Sequence, residues 1–246
     1  MPALEQLPTL YSDGRYLEKN PTWHAEDASW KAKQVLKALQ HLNIVPKTVC
    51  DIGCGAGEVI RCLADQMREP VFHGYETSPQ AFSMARSRET DRCRFFKFHG
   101  IQQLEPVAYD LVMALDVVEH VEDCHQFLRD LKNVARYKLL HVPLELSVLG
   151  VAANQPLWAR RQAGHLHVFS METLLCLLVE CGLEPLHRFY TPAFSASPAD
   201  VALRQGSGRG MLKTVLLRPL RTVTFSTSPK VCARYLGGCS LIILAI

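Results

Sequence analysis

The most constraining feature of the sequence is a glycine-rich stretch near position 50. A mostly apolar segment leads into Asp51, and Gly53, Gly55 and Gly57 follow at alternate positions. Residues 59–64 then show the apolar spacing of a helix. Glycines suit a turn whose backbone takes positive φ or comes close to a ligand, and a helix start behind the turn offers unpaired N–H groups. The stretch therefore predicts a buried strand, a tight turn near a ligand and the start of a helix.

The spacing of the glycines separates this turn from other glycine-rich loops. A phosphate-binding P-loop would end in Gly-Lys-Ser/Thr, and a dinucleotide loop would read G-x-G-x-x-G, whereas this turn reads G-x-G-x-G after Asp51. A second strand-like segment ends in Glu76, which lies 76 − 53 = 23 positions after Gly53. This is close to the ~20 positions that place a carboxylate on a ribose diol. The pattern favours a ribose-containing ligand and speaks against a nicotinamide-dependent oxidoreductase.

Further segments follow in the order used by one family. The run from Asp51 to Gly57, Glu76, the segment 109–112 (Tyr-Asp-Leu-Val) and the segment 116–120 (Asp-Val-Val-Glu-His) together resemble class I S-adenosylmethionine-dependent methyltransferases. The resemblance spans about residues 47–183. It implies an α/β fold with a doubly wound, seven-stranded, mostly parallel sheet of Rossmann-like type whose last strand is antiparallel. It also implies an enzyme with S-adenosylmethionine as its cofactor.

The resemblance places the cofactor at the carboxyl ends of the strands. In doubly wound sheets ligands bind at these ends, so Asp51, Glu76 and Asp116 are expected to converge on one crevice. By resemblance, Glu76 accepts both ribose hydroxyls, Asp51 orients the methionyl ammonium directly or through water, and the surroundings of Asp116 flank the sulfonium. Ile101 stands where many family members carry an acidic residue for adenine, which leaves apolar contact or a backbone acceptor. The implied cofactor residues are Asp51, Gly53, Cys54, Gly55, Gly57, Glu76, Thr77, Leu115 and Asp116.

No motif marks the group that acts on the methyl acceptor. His120 follows the fourth predicted strand and His165 lies at the mouth of the long connection 144–164, and imidazole titrates near neutrality. These two are the predicted catalytic residues, whereas His167, beside an apolar segment, is expected to be structural. Asp116, Glu119 and His120 with His165 loosely resemble the Mg²⁺ ligands of small-RNA 2′-O-methyltransferases. Because Asp replaces the first Glu of that pattern, no metal is predicted.

The chain length of 246 residues suits one α/β domain with additions. A helix of amphipathic spacing is predicted from Trp30 onward, and short helices are predicted over 211–220 and 230–235. The expected parts of this single domain, 1–246, are an N-terminal lid and helix (1–46), a core (47–190) and an insertion or cap before the last strand (191–238).

Charge and cysteine content narrow the class of partner. The net charge of +3 is too small to indicate nucleic acid or an anionic membrane surface, and no apolar run approaches the ~20 residues of a bilayer span. The nine cysteines are odd in number, form no C-x-x-C and lie mostly in apolar segments, which is typical of reduced thiols in a cytoplasmic protein. The N-terminus has no signal pattern. The sequence does not specify an oligomeric state.

The leading prediction is therefore an enzyme that methylates an oxygen or nitrogen atom of a small-molecule metabolite. Two alternatives stay open at this stage. One is a Mg²⁺-dependent RNA ribose 2′-O-methyltransferase, and the other is a catalytically silent, methyltransferase-like binding protein. The identity of the acceptor is beyond the sequence, because the connection 144–164 and the insertion carry no recognisable motif.

Overall fold

The structure, a computed structural model, describes residues 22–23, 25–193 and 208–246, with the backbone alone for 208–216. The strands in this part of the chain are β1 (Thr48–Ile52), β2 (Val71–Glu76), β3 (Cys93–Lys97), β4 (Tyr109–Leu115), β5 (Ala135–Leu144), β6 (Pro185–Pro192) and β7 (Cys239–Ala245). They form one sheet in the order β3-β2-β1-β4-β5-β7-β6. Only β7 runs antiparallel to its neighbours, β5 and β6. The predicted fold class, including the antiparallel last strand, is confirmed.

Helices cover both faces of the sheet. The helices are α1 (Ala28–His41), α2 (Glu58–Gln66), α3 (Pro79–Arg86), α4 (Cys124–Val134), α5 (Val148–Ala152), α6 (Gln155–Gln162), α7 (Met171–Glu180) and α8 (Gly208–Thr227). Alternate residues of β4 divide between the two layers: Leu111 and Met113 pack with α1, α2 and α3, whereas Val112 and Ala114 pack with α4 and α7. Burial on both sides explains why the central strands are almost continuously apolar.

The helix that follows the long connection, α7, begins with a capping box. Ser170 is the N-cap of α7, and its Oγ accepts a hydrogen bond from Thr173 N–H at 3.2 Å while Thr173 Oγ1 accepts one from Ser170 N–H at 3.0 Å. This reciprocal capping box satisfies two N–H groups that the first helical turn would otherwise leave unpaired. Gly182 has φ +79 just past the end of α7, which is the backbone conformation that glycine commonly supplies after a helix.

Two predictions of local structure differ from the structure. The connection 144–164 contains α5 and α6, whose apolar patterns are weak because only Ala159 is buried among their residues. The predicted short helix 211–220 belongs to the 20-residue α8, which continues through Pro219. Proline removes one helical hydrogen bond without necessarily ending the helix, so α8 can contain Pro219 and continue past the predicted end at Leu220. The prediction over 230–235 corresponds to a short helix, Pro229–Val231, followed by a π-helical turn, Cys232–Leu236.

Some expectations from composition and organisation can also be compared with the structure. All nine cysteines lie in the described part of the chain, as free thiols, and seven are buried. Among the described residues, no helix is long and apolar enough to cross a bilayer. Most of the predicted lid (1–21 and 24) and part of the predicted cap (194–207) lie outside the described residues. The division of the chain into lid, core and cap stays a prediction.

Candidate functional site

A cavity of about 1320 Å³ opens at the carboxyl ends of β1, β2, β4 and β5. The three acidic residues expected to converge there, Asp51, Glu76 and Asp116, all line it. The other predicted site residues that line it are Gly53, Cys54, Gly55, Thr77, Leu115, His120 and His165. One polar crevice therefore joins the predicted cofactor residues to the predicted catalytic residues.

The glycine turn is fastened to the neighbouring strand. The N–H groups of Gly53 and Cys54 donate to the carbonyl oxygen of Tyr75 at 2.8 and 3.2 Å. Gly55 has φ +56, and a Cβ added there would lie 2.8 Å from Cδ1 of Trp23. Trp23, a residue of the predicted lid, thus lies directly on the turn and also lines the cavity. Only glycine allows both the backbone conformation and the close approach at this position.

Gly57 has a different environment from the other predicted cofactor residues. It is the left-handed N-cap of α2, with φ +78, and it is not among the residues that line the cavity. A Cβ added at Gly57 would meet the Phe95 ring at 2.7 Å and the Ala85 Cβ at 3.3 Å. The structure therefore gives this glycine a packing role behind the turn, and its predicted contact with the cofactor stays a prediction.

Gly57→Ala is expected to reduce the free energy of unfolding by about 1–3 kcal/mol, because it combines overpacking with an unfavourable φ. Thermal and urea unfolding measure the change. The double variant Gly57→Ala/Phe95→Leu and the single variant Phe95→Leu complete the comparison. If the double variant loses less free energy of unfolding than the two single variants lose together, the contact with the ring is responsible. Full stability in Gly57→Ala would contradict the packing role.

Glu76 is buried and its carboxylate is positioned by backbone groups. Oε2 accepts from Gly55 N–H at 2.8 Å, and Oε1 accepts from Ser78 N–H at 2.7 Å and from Thr77 Oγ1 at 3.4 Å. Burial raises the pKa of Glu76 above its ordinary value, and these hydrogen bonds oppose the rise. The side chain is therefore held rigidly at the cavity wall, where a carboxylate can accept from a diol.

Asp51 is the most unusual of the acidic residues in its surroundings. It is 2% exposed, and its Oδ1 has no hydrogen-bond partner among the described residues. Burial raises its pKa to about 7, the Lys31 ammonium opposes the rise, and the Glu76 carboxylate adds to it. A buried carboxylate oxygen without a donor, facing a cavity, fits a cationic ligand group such as an ammonium.

Asp116 is engaged by two basic side chains that sequence reasoning missed. Its Oδ2 lies 2.8 Å from Lys31 Nζ of α1, and its Oδ1 lies 2.6 Å from His141 Nδ1 of β5. The other ring nitrogen of His141 is 3.0 Å from the Thr191 hydroxyl. Burial alone would raise the pKa of Asp116, but the charges of His141 and Lys31 hold it well below its ordinary value. Asp116 is therefore an anchored anion at φ +58, at the end of β4.

One signal could have identified His141. β4 and β5 are parallel, with Leu115 beside His141, so the residue after Leu115 reaches the His141 ring. Lys31 comes from a helix far earlier in the chain, and nothing in its local sequence marks its partner. Phe98 and Ile101 give the cavity an apolar side, and the predicted apolar contact of Ile101 with adenine stays a prediction.

The backbone around Glu119 fastens the segment 164–167. The N–H groups of Leu166 and His167 both donate to the Glu119 carbonyl oxygen, at 2.7 and 3.1 Å. His167 Nε2 donates to the Val121 carbonyl oxygen at 2.9 Å, which gives this histidine the structural role expected of it. These bonds bring the end of the long connection against the turn that follows β4.

The two predicted catalytic histidines meet as a result. The ring centroids of His120 and His165 are 4.7 Å apart in an edge-to-face arrangement. His120 Nδ1 lies 3.3 Å from the Gly164 carbonyl oxygen, and His165 Nδ1 lies 2.9 Å from Glu145 Oε2. Because both partners can only accept, each Nδ1 carries the hydrogen and each Nε2 keeps its lone pair. Burial is the main reason that the pKa of His120 falls to about 4, and any positive charge on His165 would add to the fall.

Glu119 completes a group of three donors. It is 1% exposed, and neither of its carboxylate oxygens has a hydrogen-bond partner within the described part of the chain. Burial raises the pKa of Glu119 well above its ordinary value, and the charges of Asp116 and Glu145 add to the rise. One ligand atom each from Glu119, His120 and His165 lies within 4.8 Å of the others. Asp116 stands apart from this group, because Lys31 and His141 engage it.

Comparison with known proteins identifies the family. A family model described as a methyltransferase domain matches residues 23–188, more than half of the chain. By sequence, no curated protein matches the chain. A Haloferax volcanii methyltransferase, solved in complex with the Trm112 methyltransferase activator, superposes with a TM-score of 0.64 at 16% identity, covering 98% of this chain and 97% of its own.

Two further solved structures share the fold. A Thermotoga maritima S-adenosylmethionine-dependent methyltransferase, described as a possible histamine N-methyltransferase, gives a TM-score of 0.60 at 15% identity, covering 98% of this chain and 99% of its own. Haemonchus contortus phosphoethanolamine N-methyltransferase 2, solved with S-adenosylmethionine, gives a TM-score of 0.59 at 13% sequence identity, covering 87% of this chain and 52% of its own. Fold, cavity and family model agree: the chain belongs to the methyltransferase family and is an enzyme that uses S-adenosylmethionine.

Proposed function

We propose that the protein transfers the methyl group of S-adenosylmethionine to an oxygen or nitrogen atom of a small-molecule metabolite. The observation that carries this proposal is the single cavity with two polar ends. Asp51 and Glu76 line it at the strand ends expected to bind the cofactor, and Glu119, His120 and His165 line it beyond β4. An acceptor between these groups would lie in line with a methyl group presented from the cofactor end.

The chemistry divides between cofactor and protein. S-adenosylmethionine supplies a methyl group on a sulfonium, so the acceptor lone pair forms the new bond to carbon while the electron pair of the broken bond stays on sulfur. The protein has to bind, align and exclude water. Asp51 would hold the methionyl ammonium and Glu76 the ribose diol. An acceptor O–H or N–H also has to lose its proton, and we assign His120 and His165 to that side of the reaction.

A small acceptor is favoured over a nucleic acid on two grounds. The acceptor end of the cavity is formed in part by α6, whose Gln155 and Trp158 line it, so the space is bounded by side chains. The net charge of +3 is small for a chain that binds a polyanion. Two of the three structural neighbours named above carry small amines in their names, which supports the same class of acceptor.

Transfer of an isotope-labelled methyl group tests the proposal. The protein is incubated with labelled S-adenosylmethionine and pooled small amines and hydroxyl compounds, with total RNA as a separate acceptor. Labelled product in a small-molecule pool supports the proposal. Label in RNA alone, or none in any pool although S-adenosylmethionine binds, would contradict it.

Once a methyl acceptor has been identified, kcat can be measured. The His165→Ala substitution is expected to lower kcat by about 10²–10⁴-fold, the range for loss of a group that assists proton removal. The dissociation constant of S-adenosylhomocysteine should stay within about twofold of the original value, because His165 lies beyond the cofactor carboxylates. His125→Ala is the matched control, since His125 is an exposed histidine on α4. Unchanged kcat in His165→Ala would remove this residue from the reaction.

A further inference from the structure

The buried carboxylate of Glu119 has no donor to compensate it among the described residues. Leaving an anion in such a place is costly unless a positive charge or a proton is supplied. Two imidazoles lie close to it: the Nε2 of His120 is 4.0 Å from Glu119 Oε1, and the ring of His165 contacts that of His120. Both imidazoles have Nδ1 directed at an oxygen acceptor, so their Nε2 atoms add lone pairs rather than positive charge. Three electron-pair donors therefore converge on one small volume.

We propose that Glu119, His120 and His165 bind a divalent first-row transition-metal cation at the acceptor end of the cavity. The ligand atoms lie within 4.8 Å of one another. Metal–ligand bonds of about 2.0–2.2 Å place neighbouring donors roughly 3 Å apart, so side-chain shifts of about 1 Å would close the site. All three residues line the cavity, which leaves further coordination positions open toward an acceptor.

Second-sphere contacts prepare the site for a cation. Glu145 Oε2 accepts from His165 Nδ1–H, an arrangement that fixes the tautomer and ring orientation of a metal-binding histidine. The Gly164 carbonyl oxygen does the same for His120. The hydrogen bonds from Leu166 and His167 to the Glu119 carbonyl oxygen hold the two parts of the site at a fixed separation. Glu145 is thus a positioning residue rather than a ligand.

The donor set selects the kind of cation. Two imidazole nitrogens and one carboxylate suit Mn²⁺, Fe²⁺, Co²⁺ or Zn²⁺, whereas Mg²⁺ prefers oxygen ligands alone. Asp116, a further oxygen donor that could have favoured Mg²⁺, is engaged by Lys31 and His141. We therefore expect Zn²⁺ to compete with bound Co²⁺ and Mg²⁺ not to do so.

The role of the cation in the reaction rests on the proposed function, although its binding does not. An acceptor hydroxyl on an open coordination position would lie beside the methyl group. The cation would lower the pKa of that hydroxyl, so the proton would pass to solvent while oxygen forms the bond to the methyl carbon. His120 and His165 would then act as ligands instead of taking the proton themselves. A chelator should slow methyl transfer if the two histidines act as ligands of the cation. It should leave the rate unchanged if they take the proton themselves.

Cobalt titration of the untagged, chelator-treated full chain tests the site directly. We expect one equivalent of Co²⁺ to give a visible absorption band that Zn²⁺ abolishes and millimolar Mg²⁺ does not. Glu119→Gln and His165→Ala should lose the band, and Glu145→Gln should weaken binding by about 10–100-fold because the ligands remain but one is no longer oriented. His125→Ala should bind as the unmodified protein does.

Unfolding curves and titration with S-adenosylhomocysteine on the same samples separate loss of the site from loss of the fold. No band in the unmodified protein, or an equal band in Glu119→Gln, would overturn the proposal and leave Glu119 as a protonated carboxyl that shares its proton with the imidazoles. Cofactor binding without cobalt binding would contradict the cation site and leave the proposed function unaffected. Cobalt binding without cofactor binding would contradict the proposed function and would still support the cation site.

Discussion

Glu76→Ala is expected to weaken binding of S-adenosylmethionine by about 100-fold or more. Glu76 is 6% exposed, and backbone N–H groups of Gly55 and Ser78 hold its two oxygens. The substitution would remove the proposed acceptor for the ribose diol and would leave two N–H groups without their partner at the same time. Hydrogen bonds to a charged group contribute about 1.5–3 kcal/mol each, and about 2.8 kcal/mol corresponds to 100-fold.

Calorimetric titration measures this effect, and two variants make the result specific. Glu76→Gln keeps the shape and one accepting oxygen, so it should lose less affinity than Glu76→Ala. Glu180→Ala removes an exposed carboxylate at the end of α7 and should bind the cofactor normally. A dissociation constant for Glu76→Ala within about twofold of the original value, in a folded sample, would remove Glu76 from the cofactor site.

Asp51→Asn is expected to change stability and cofactor affinity in opposite directions. In the free protein the Asp51 carboxylate is buried, and one oxygen has no donor within the described residues, so replacing it with a neutral amide should raise the melting temperature. In the complex the same carboxylate would face the methionyl ammonium, so Asn should weaken S-adenosylmethionine binding by roughly 10–100-fold. A variant that loses both stability and affinity would instead give Asp51 a purely structural role.

The pH dependence of binding follows from the same carboxylate. With a pKa of about 7, Asp51 in the free protein is mostly protonated at pH 6 and mostly ionised at pH 7.5. Because the ammonium needs the ionised form, affinity should rise by roughly tenfold over this interval, with proton release on binding below pH 7. Asp51→Asn should lose most of that rise. The Lys31 ammonium and the Glu76 carboxylate face the same group and set where its midpoint lies.

The stability of the free protein should show the opposite slope. The pKa of Asp51 is about 7 when folded and near its ordinary 3.8 when unfolded, so the folded chain binds more protons between these values. This contribution to the free energy of unfolding is complete below the unfolded pKa and is lost as the pH rises through the folded one. Urea unfolding of the cofactor-free protein at pH 5 and pH 8, with Asp51→Asn as the reference, isolates it.

The fold and the cofactor end of the site follow from local sequence patterns. Near-continuous apolar segments mark the central strands, and the acidic residue at the end of a strand sits at the cavity because parallel strands all end at the same edge. This logic places Asp51, Glu76 and Asp116 correctly without any knowledge of the packing. It does not separate Gly57, which packs against Phe95, from the glycines that line the cavity.

The acceptor end depends on contacts between distant segments, which local patterns do not encode. Lys31 reaches Asp116 from α1, and Glu145 reaches His165 from the opposite end of the long connection. His120 and His165 meet where the Glu119 carbonyl oxygen accepts two hydrogen bonds, from residues 166 and 167. The sequence identifies the two histidines by residue type, whereas the burial of the Glu119 carboxyl close to them becomes visible only in the folded chain.

The most direct measurement of the central claim is calorimetric titration of the unmodified protein with S-adenosylmethionine, S-adenosylhomocysteine and NAD, side by side at pH 7.5. The arrangement of Asp51 and Glu76 around one cavity predicts one equivalent of each sulfur ligand bound and no heat from NAD. Binding of NAD in place of the sulfur ligands, or no binding of any of the three to a folded sample, would contradict it.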